Sequence, residues 1–165
     1  MIHGITCEVE NKWGNIFYDI LKGVGIKEFT WYVGSSECYS NAEKDYRFHE
    51  SYYTGQALYD AIHDSDVPYY VIFADYKAFP AEGKASKVTT FKDYMESELK
   101  IVTFQDYLES ECQMALFIVD VMYIEFYCKS EEVLQQVYKN VSENPMFFDI
   151  QYITDEKNLR TNMYI

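Results

Sequence analysis

Basic side chains are scarce: 14 Lys plus Arg stand against 27 Asp plus Glu in 165 residues, a formal charge of −13. A surface potential negative in most directions repels phosphate backbones and anionic headgroups, so no nucleic-acid or membrane partner is expected. Long apolar runs are also missing. The longest, Met114 to Val119, falls far short of the ~20 residues of a spanning helix, and the opening MIHGITCEVENKWG has no basic and then apolar leader. An unexported, cytoplasmic protein is the expectation. Cysteine is sparse at positions 7, 38, 112 and 128, with no CxxC pair and no histidine at ligand spacing, so no metal site and no disulfide framework is implied. The sequence has no GxSxG elbow, HExxH, Walker A loop or GxGxxG, so no catalytic residue and no cofactor is implied either.

What is present is apolar and aromatic. A 48% hydrophobic composition supplies a core for one domain, residues 1–165, which at this length buries roughly 70% of its unfolded surface. No linker divides it. Residues 2 to 9 alternate as a strand, and Ile16, Phe17, Ile20, Leu21 and Val24 follow at helical spacing. Phe29 to Val33 reads as a second strand, whereas Gly34 to Tyr53 has no period. Thr54 caps a helix carrying Leu58, Ala61 and Ile62, and Tyr69 to Ala74 is a buried strand. Met114 to Val119 turns near Asp120 into Met122 to Cys128, Ser130 caps a further helix, and Phe147 to Ile153 closes the fold before a mobile tail over 156–165. The expected class is α+β: a mixed sheet of about five to six strands with helices packed on it.

One internal repeat spans 90–113. TFKDYMESELK (90–100) and TFQDYLESECQ (103–113) share seven of eleven residues, each opening with Thr-Phe-x-Asp, a capping-box pattern. On one continuous helix the 13-residue offset would rotate the second apolar stripe by about 220°, so two short helices broken at Ile101–Val102 are predicted. The copy next to the 114–119 strand is expected in the core and its twin at the periphery.

VIFADYKAFP (71–80), FTWYVG (29–34), SECQMALFIVD (110–120) and IEFYCK (124–129) together resemble a small family of uncharacterised bacterial proteins, from the first strand to QYITDE at 151–156. The resemblance implies a small bacterial, cytosolic domain of unknown function. Its pattern carries one TFxDYLESE segment, which implies that one copy here is an added tandem duplication.

Two functional readings follow. Tyr39, Tyr46, His49, Glu50, Tyr52 and Tyr53 crowd into the segment without a period, among Glu37, Glu43 and Asp45. Tyrosine brings contact area at low entropy cost while carboxylates steer association, which suits a non-catalytic acidic binder of a basic protein, of inhibitor, immunity or regulatory type. A solvated loop with a few aromatic anchors is the plainer interpretation. The alternative is an enzyme acting on a small molecule or phosphate ester, in which the strand-end carboxylates Asp75 and Asp120, with Lys77 beside Asp75, bind a divalent metal or share proton transfer. The plainer interpretation is that aspartate ends strands because its side chain stabilises turns.

Overall fold

The computed structural model describes residues 1–40, 48, 50–64 and 66–165. In chain order the elements are β1 (Ile2–Val9), α1 (Ile16–Leu21), β2 (Phe29–Ser40), β3 (Tyr52–Tyr53), α2 (Gly55–His63), β4 (Tyr69–Pro80), α3 (Phe91–Glu96), α4 (Phe104–Glu109), β5 (Met114–Val119), β6 (Tyr123–Cys128), α5 (Glu131–Ser142) and β7 (Phe147–Thr154). The caps follow the sequence: Thr54 and Ser130 accept from the backbone N–H groups of Ala57 and Val133.

The class is α+β, with two corrections to the expected sheet. Among the described residues it has seven strands in the order β3-β2-β4-β5-β6-β1-β7, and every pair is antiparallel rather than mixed. The extra strand is the two-residue β3, which pairs with Trp31 and Tyr32. Alternating strands and helices suggested parallel crossovers. Here β1 slots between β6 and β7, so the two strands that α5 connects never touch each other. Strand β2 runs well beyond its expected end because register shifts at Val33/Ser35 and Glu37/Cys38 break the two-residue period there, and β4, covered on both faces, shows no alternation to mark its own end.

Helices cover both faces. On the first, Ile5, Val33, Tyr76, Leu116 and Phe126 lie under Phe17 and Ile20 of α1, Leu58 and Ile62 of α2, and Val137 and Val141 of α5. Asn140, buried in α5, donates from its Nδ2 to the carbonyls of Ile20 (2.8 Å) and Lys22 (2.7 Å), meeting orphan acceptors at the end of α1. On the second face Tyr32, Phe79, Phe117, Tyr127 and Ile153 are packed by Tyr94 of α3 and Tyr107 of α4. All four cysteines are free and buried. The residues after β7, expected to form a mobile tail, lie instead across this second face: Met163 is fully buried and its N–H donates to the Val102 carbonyl at 2.9 Å.

Both repeat copies fold alike. Thr90 and Thr103 accept from the N–H groups of Asp93 and Asp106, and Ser97 and Ser110 donate back to the carbonyls of Tyr94 and Tyr107. The same serine oxygens then accept from Leu99 and Cys112. Tyr94 is 2% exposed and Tyr107 1%, so each copy anchors one tyrosine in the core, while the first copy buries fewer side chains than the second, which also buries Cys112. Each tyrosine packs on different strands: Tyr94 stacks on Tyr32 of β2 at 4.9 Å, and Tyr107 meets Tyr127 of β6 at 6.1 Å.

Candidate functional site

Alternation along β4 decides where its charges go. Ala74, Tyr76 and Ala78 join the first-face core, so Asp75, Lys77 and Phe79 point to the second face. Asp75 is therefore in the middle of a twelve-residue strand opposite Phe117, not at a strand end. Both charged residues are buried, at 1% and 4% exposure. Lys77 Nζ donates to Asp75 Oδ1 at 2.5 Å, and the Ile165 N–H donates to Oδ2 at 3.2 Å. The Lys77 ammonium lies 5.2 Å from the centroid of the Phe117 ring. Room for the carboxylate comes from Gly34 at the β2 register shift, where a Cβ would stand 2.7 Å from Asp75 Oδ2.

Above this ion pair opens a cleft of about 370 Å³. Gly34, Asp75 and Lys77 form its floor, Phe91, Tyr94 and Met95 of α3 one wall, Ile101 and Val102 a second, and Tyr164 and Ile165 the rim. Met95, Val102, Tyr164 and Ile165 are all exposed apolar side chains, gathered around one opening. Burial pushes the Tyr94 hydroxyl well above the usual phenol range, and its oxygen accepts from the Ile101 N–H at 2.8 Å, fixing the linker between the repeats against the ring. Arg160 fastens the rim. Its Nη1 bonds Glu125 Oε1 at 2.8 Å, its Nη2 and Nε bond the carbonyls of Tyr164 and Asn162, and its guanidinium lies 4.5 Å from the Phe117 ring centroid.

Of the sequence candidates, the structure brings together Asp75 and Lys77 and leaves Asp120 apart. Asp120 is exposed in the turn between β5 and β6, in the left-handed region (φ 53°) where aspartate is tolerated, and it does not line the cleft. Both Asp75 oxygens are engaged, one by the Lys77 ammonium and one by the Ile165 N–H, and Asp120 does not stand beside it to complete a pair of carboxylates. Among the described residues no group of three or more His, Cys, Asp or Glu side chains could hold a metal ion.

In the aromatic segment, Tyr46 and His49 lie outside the described residues. Tyr39 donates to Glu37 at 2.6 Å. Glu50 is exposed, and half-buried Tyr52 and Tyr53 pack toward opposite faces of the sheet, onto the second-face and first-face cores respectively. Sequence reasoning missed Gly34, Tyr94, Ile101, Tyr164 and Ile165. The one available signal was Asp-x-Lys inside an apolar strand, because residues two apart share a face.

A second cleft, about 360 Å³, lies by Ile2, Cys128, Leu134 and Tyr152. Its Lys129 is exposed and already donates to the carbonyls of Leu108 and Ser110.

A family model described as "Protein of unknown function (DUF2691)" matches the chain in two segments, residues 2–103 and 99–164, which overlap at the junction between the two repeat copies. The uncharacterized protein YncE of Bacillus subtilis (strain 168) is 27% identical over 168 residues, covering 100% of both chains. No solved structure matches the chain.

Proposed function

For this chain, which belongs to the DUF2691 family of bacterial proteins of unknown function, we propose a small-molecule-binding role with the Asp75–Lys77 cleft as its site. One observation carries the reading: a buried ion pair forms the floor of an otherwise apolar cleft of about 370 Å³. Withdrawing two charges from water costs several kcal/mol per ion before their attraction is counted, and a cavity beside them forfeits packing as well. Departures of this kind from a well-packed core concentrate at functional sites. Binding sites for small molecules share the composition found here, apolar walls with a few convergent polar groups.

The reading as an acidic binder of a basic protein draws on the charge of −13 and on Tyr39, Glu50, Tyr52 and Tyr53. Tyr52 and Tyr53 turn to opposite faces and so offer a partner no common surface, which is why the cleft is preferred. A phosphate-ester enzyme with a divalent metal draws on Asp75 and Asp120, which do not share the cleft.

The test is titration with 6-propionyl-2-dimethylaminonaphthalene, a neutral probe whose emission shifts to the blue in apolar surroundings. Saturable binding to one site per chain is expected, abolished in Val102→Trp, which fills the mouth from an exposed position. No saturable binding, or binding unaltered in Val102→Trp, overturns the proposal.

A further inference from the structure

Resting on the cleft reading, the polar floor also specifies the ligand, and we infer that the occupant is a neutral, mainly apolar molecule carrying one hydrogen-bond-accepting oxygen, such as a ketone, ester or alcohol. The inference follows from which hydrogen-bonding positions on the floor are taken. An ammonium has three N–H donors and no acceptor. Lys77 uses one, on Asp75 Oδ1, and the ammonium lies 5.2 Å from the centroid of the Phe117 ring behind it. Asp75 accepts from Lys77 on Oδ1 and from the Ile165 N–H on Oδ2, filling two of its roughly four lone-pair positions. Lys77 thus keeps N–H donors to spare, and a ligand oxygen that accepts from them adds a hydrogen bond without competing for Asp75.

Charge then selects among acceptors. The Asp75–Lys77 pair is already neutral as a unit, and both members are almost completely buried. A carboxylate ligand would leave one net negative charge in the cleft, beside the Asp75 carboxylate and inside a protein of charge −13. A cationic ligand would leave one net positive charge in the cleft, beside the Lys77 ammonium. A neutral oxygen accepts from Lys77 and leaves the pair intact. The walls set the rest of the molecule: Phe91, Tyr94, Met95, Ile101 and Val102 offer aromatic and aliphatic surface. The volume is more than twice the ~150 Å³ of an apolar cavity that takes up benzene, which suits a two-ring or medium-chain molecule.

The experiment measures affinities for four two-ring compounds of similar size: 2-acetylnaphthalene, 2-ethylnaphthalene, 2-naphthoate and 2-(aminomethyl)naphthalene. They are titrated against the full chain and the Asp75→Asn/Lys77→Met double variant. Wild type should bind the ketone about tenfold more tightly than the hydrocarbon, the advantage of one hydrogen bond, with the anion and the cation weaker than the ketone by at least about tenfold. In the double variant the ketone should lose its advantage while the hydrocarbon keeps its affinity. Tightest binding by naphthoate or by the amine, or equal binding by ketone and hydrocarbon in wild type, overturns the inferred ligand class and leaves the cleft standing. Failure of all four to bind overturns the cleft itself. The wild-type ranking decides the inference even if the double variant does not fold.

Discussion

Lys77 and Asp75 hold each other in place, and the energetics of such a pair are asymmetric. Removing one partner leaves an uncompensated buried charge, whereas removing both relieves two desolvation penalties at once. Lys77→Met is therefore expected to lower unfolding stability by about 3–5 kcal/mol, while Asp75→Leu/Lys77→Met returns to within about 1 kcal/mol of wild type or exceeds it. Urea unfolding of the three proteins reads the difference, and a single variant as stable as wild type would mean that Asp75 is not held as a buried carboxylate. These two residues were legible as candidates because charge is conspicuous in VIFADYKAFP, yet their environment was not. A strand covered on both faces shows no alternation, so nothing in Tyr69–Pro80 announced where it ended or that residue 75 lay at its middle. For Asp120 the modest interpretation suffices: it occupies a left-handed turn position.

Between the two repeat helices the same sequence logic produces a small, testable inequality. In α4 the capping box is complete: Asp106 Oδ2 accepts from the N–H groups of Thr103 (2.7 Å) and Val102 (3.1 Å). In α3 only the forward half forms, and Asp93 instead receives a long hydrogen bond from the Thr89 hydroxyl at 3.4 Å. The Thr103 N–H, with its hydroxyl and the Val102 N–H, holds the Asp106 carboxyl below its ordinary value. A carboxyl depressed in the folded state contributes stability above its unfolded pKa, and that contribution disappears as pH falls through the folded value. The Thr103 amide should accordingly keep its protection from hydrogen exchange through the ordinary aspartate range and lose it only at lower pH. Asp106→Asn should weaken α4 more than Asp93→Asn weakens α3, by roughly 0.5 kcal/mol. Equal effects on local exchange in the two helices would contradict the difference in capping. The 13-residue offset foretold two helices, although the first already ends at Glu96, before the break expected at Ile101–Val102. It could not foretell that the copies share one face, since the area of sheet needing cover depends on long-range strand pairing that no local period encodes.

At the scale of the molecule, the second face of the sheet is divided between the copies. Tyr107 and Phe104 pack on Tyr127, and Phe104 meets His3 of β1 edge to face. Tyr94 covers Tyr32 and Phe79, and Ile101, buried beside it, walls the cleft above the ion pair. Removing Thr90 through Val102 joins Thr89 to Thr103 and keeps the α4 cap and the approach to β5. A peripheral first copy would make that deletion mild, at ~1–3 kcal/mol. The packing argues otherwise. Tyr94 and Ile101 each contribute about 1.5–3 kcal/mol by burial, and their loss also uncovers Tyr32, Phe79 and the Asp75–Lys77 pair. The total approaches the ~5–15 kcal/mol that separates a domain of this size from its unfolded state. The deletion protein is expected to lose cooperative thermal unfolding by circular dichroism. Because such a protein is hard to study, the point variants Tyr94→Ala and Tyr107→Ala give the cleaner comparison: each should cost about 3–5 kcal/mol, since each leaves a ring-sized void under a short helix. If Tyr94→Ala costs under ~1 kcal/mol while Tyr107→Ala costs several, the first copy is dispensable after all, and the cleft wall it builds is an appendage to a fold that the second copy completes.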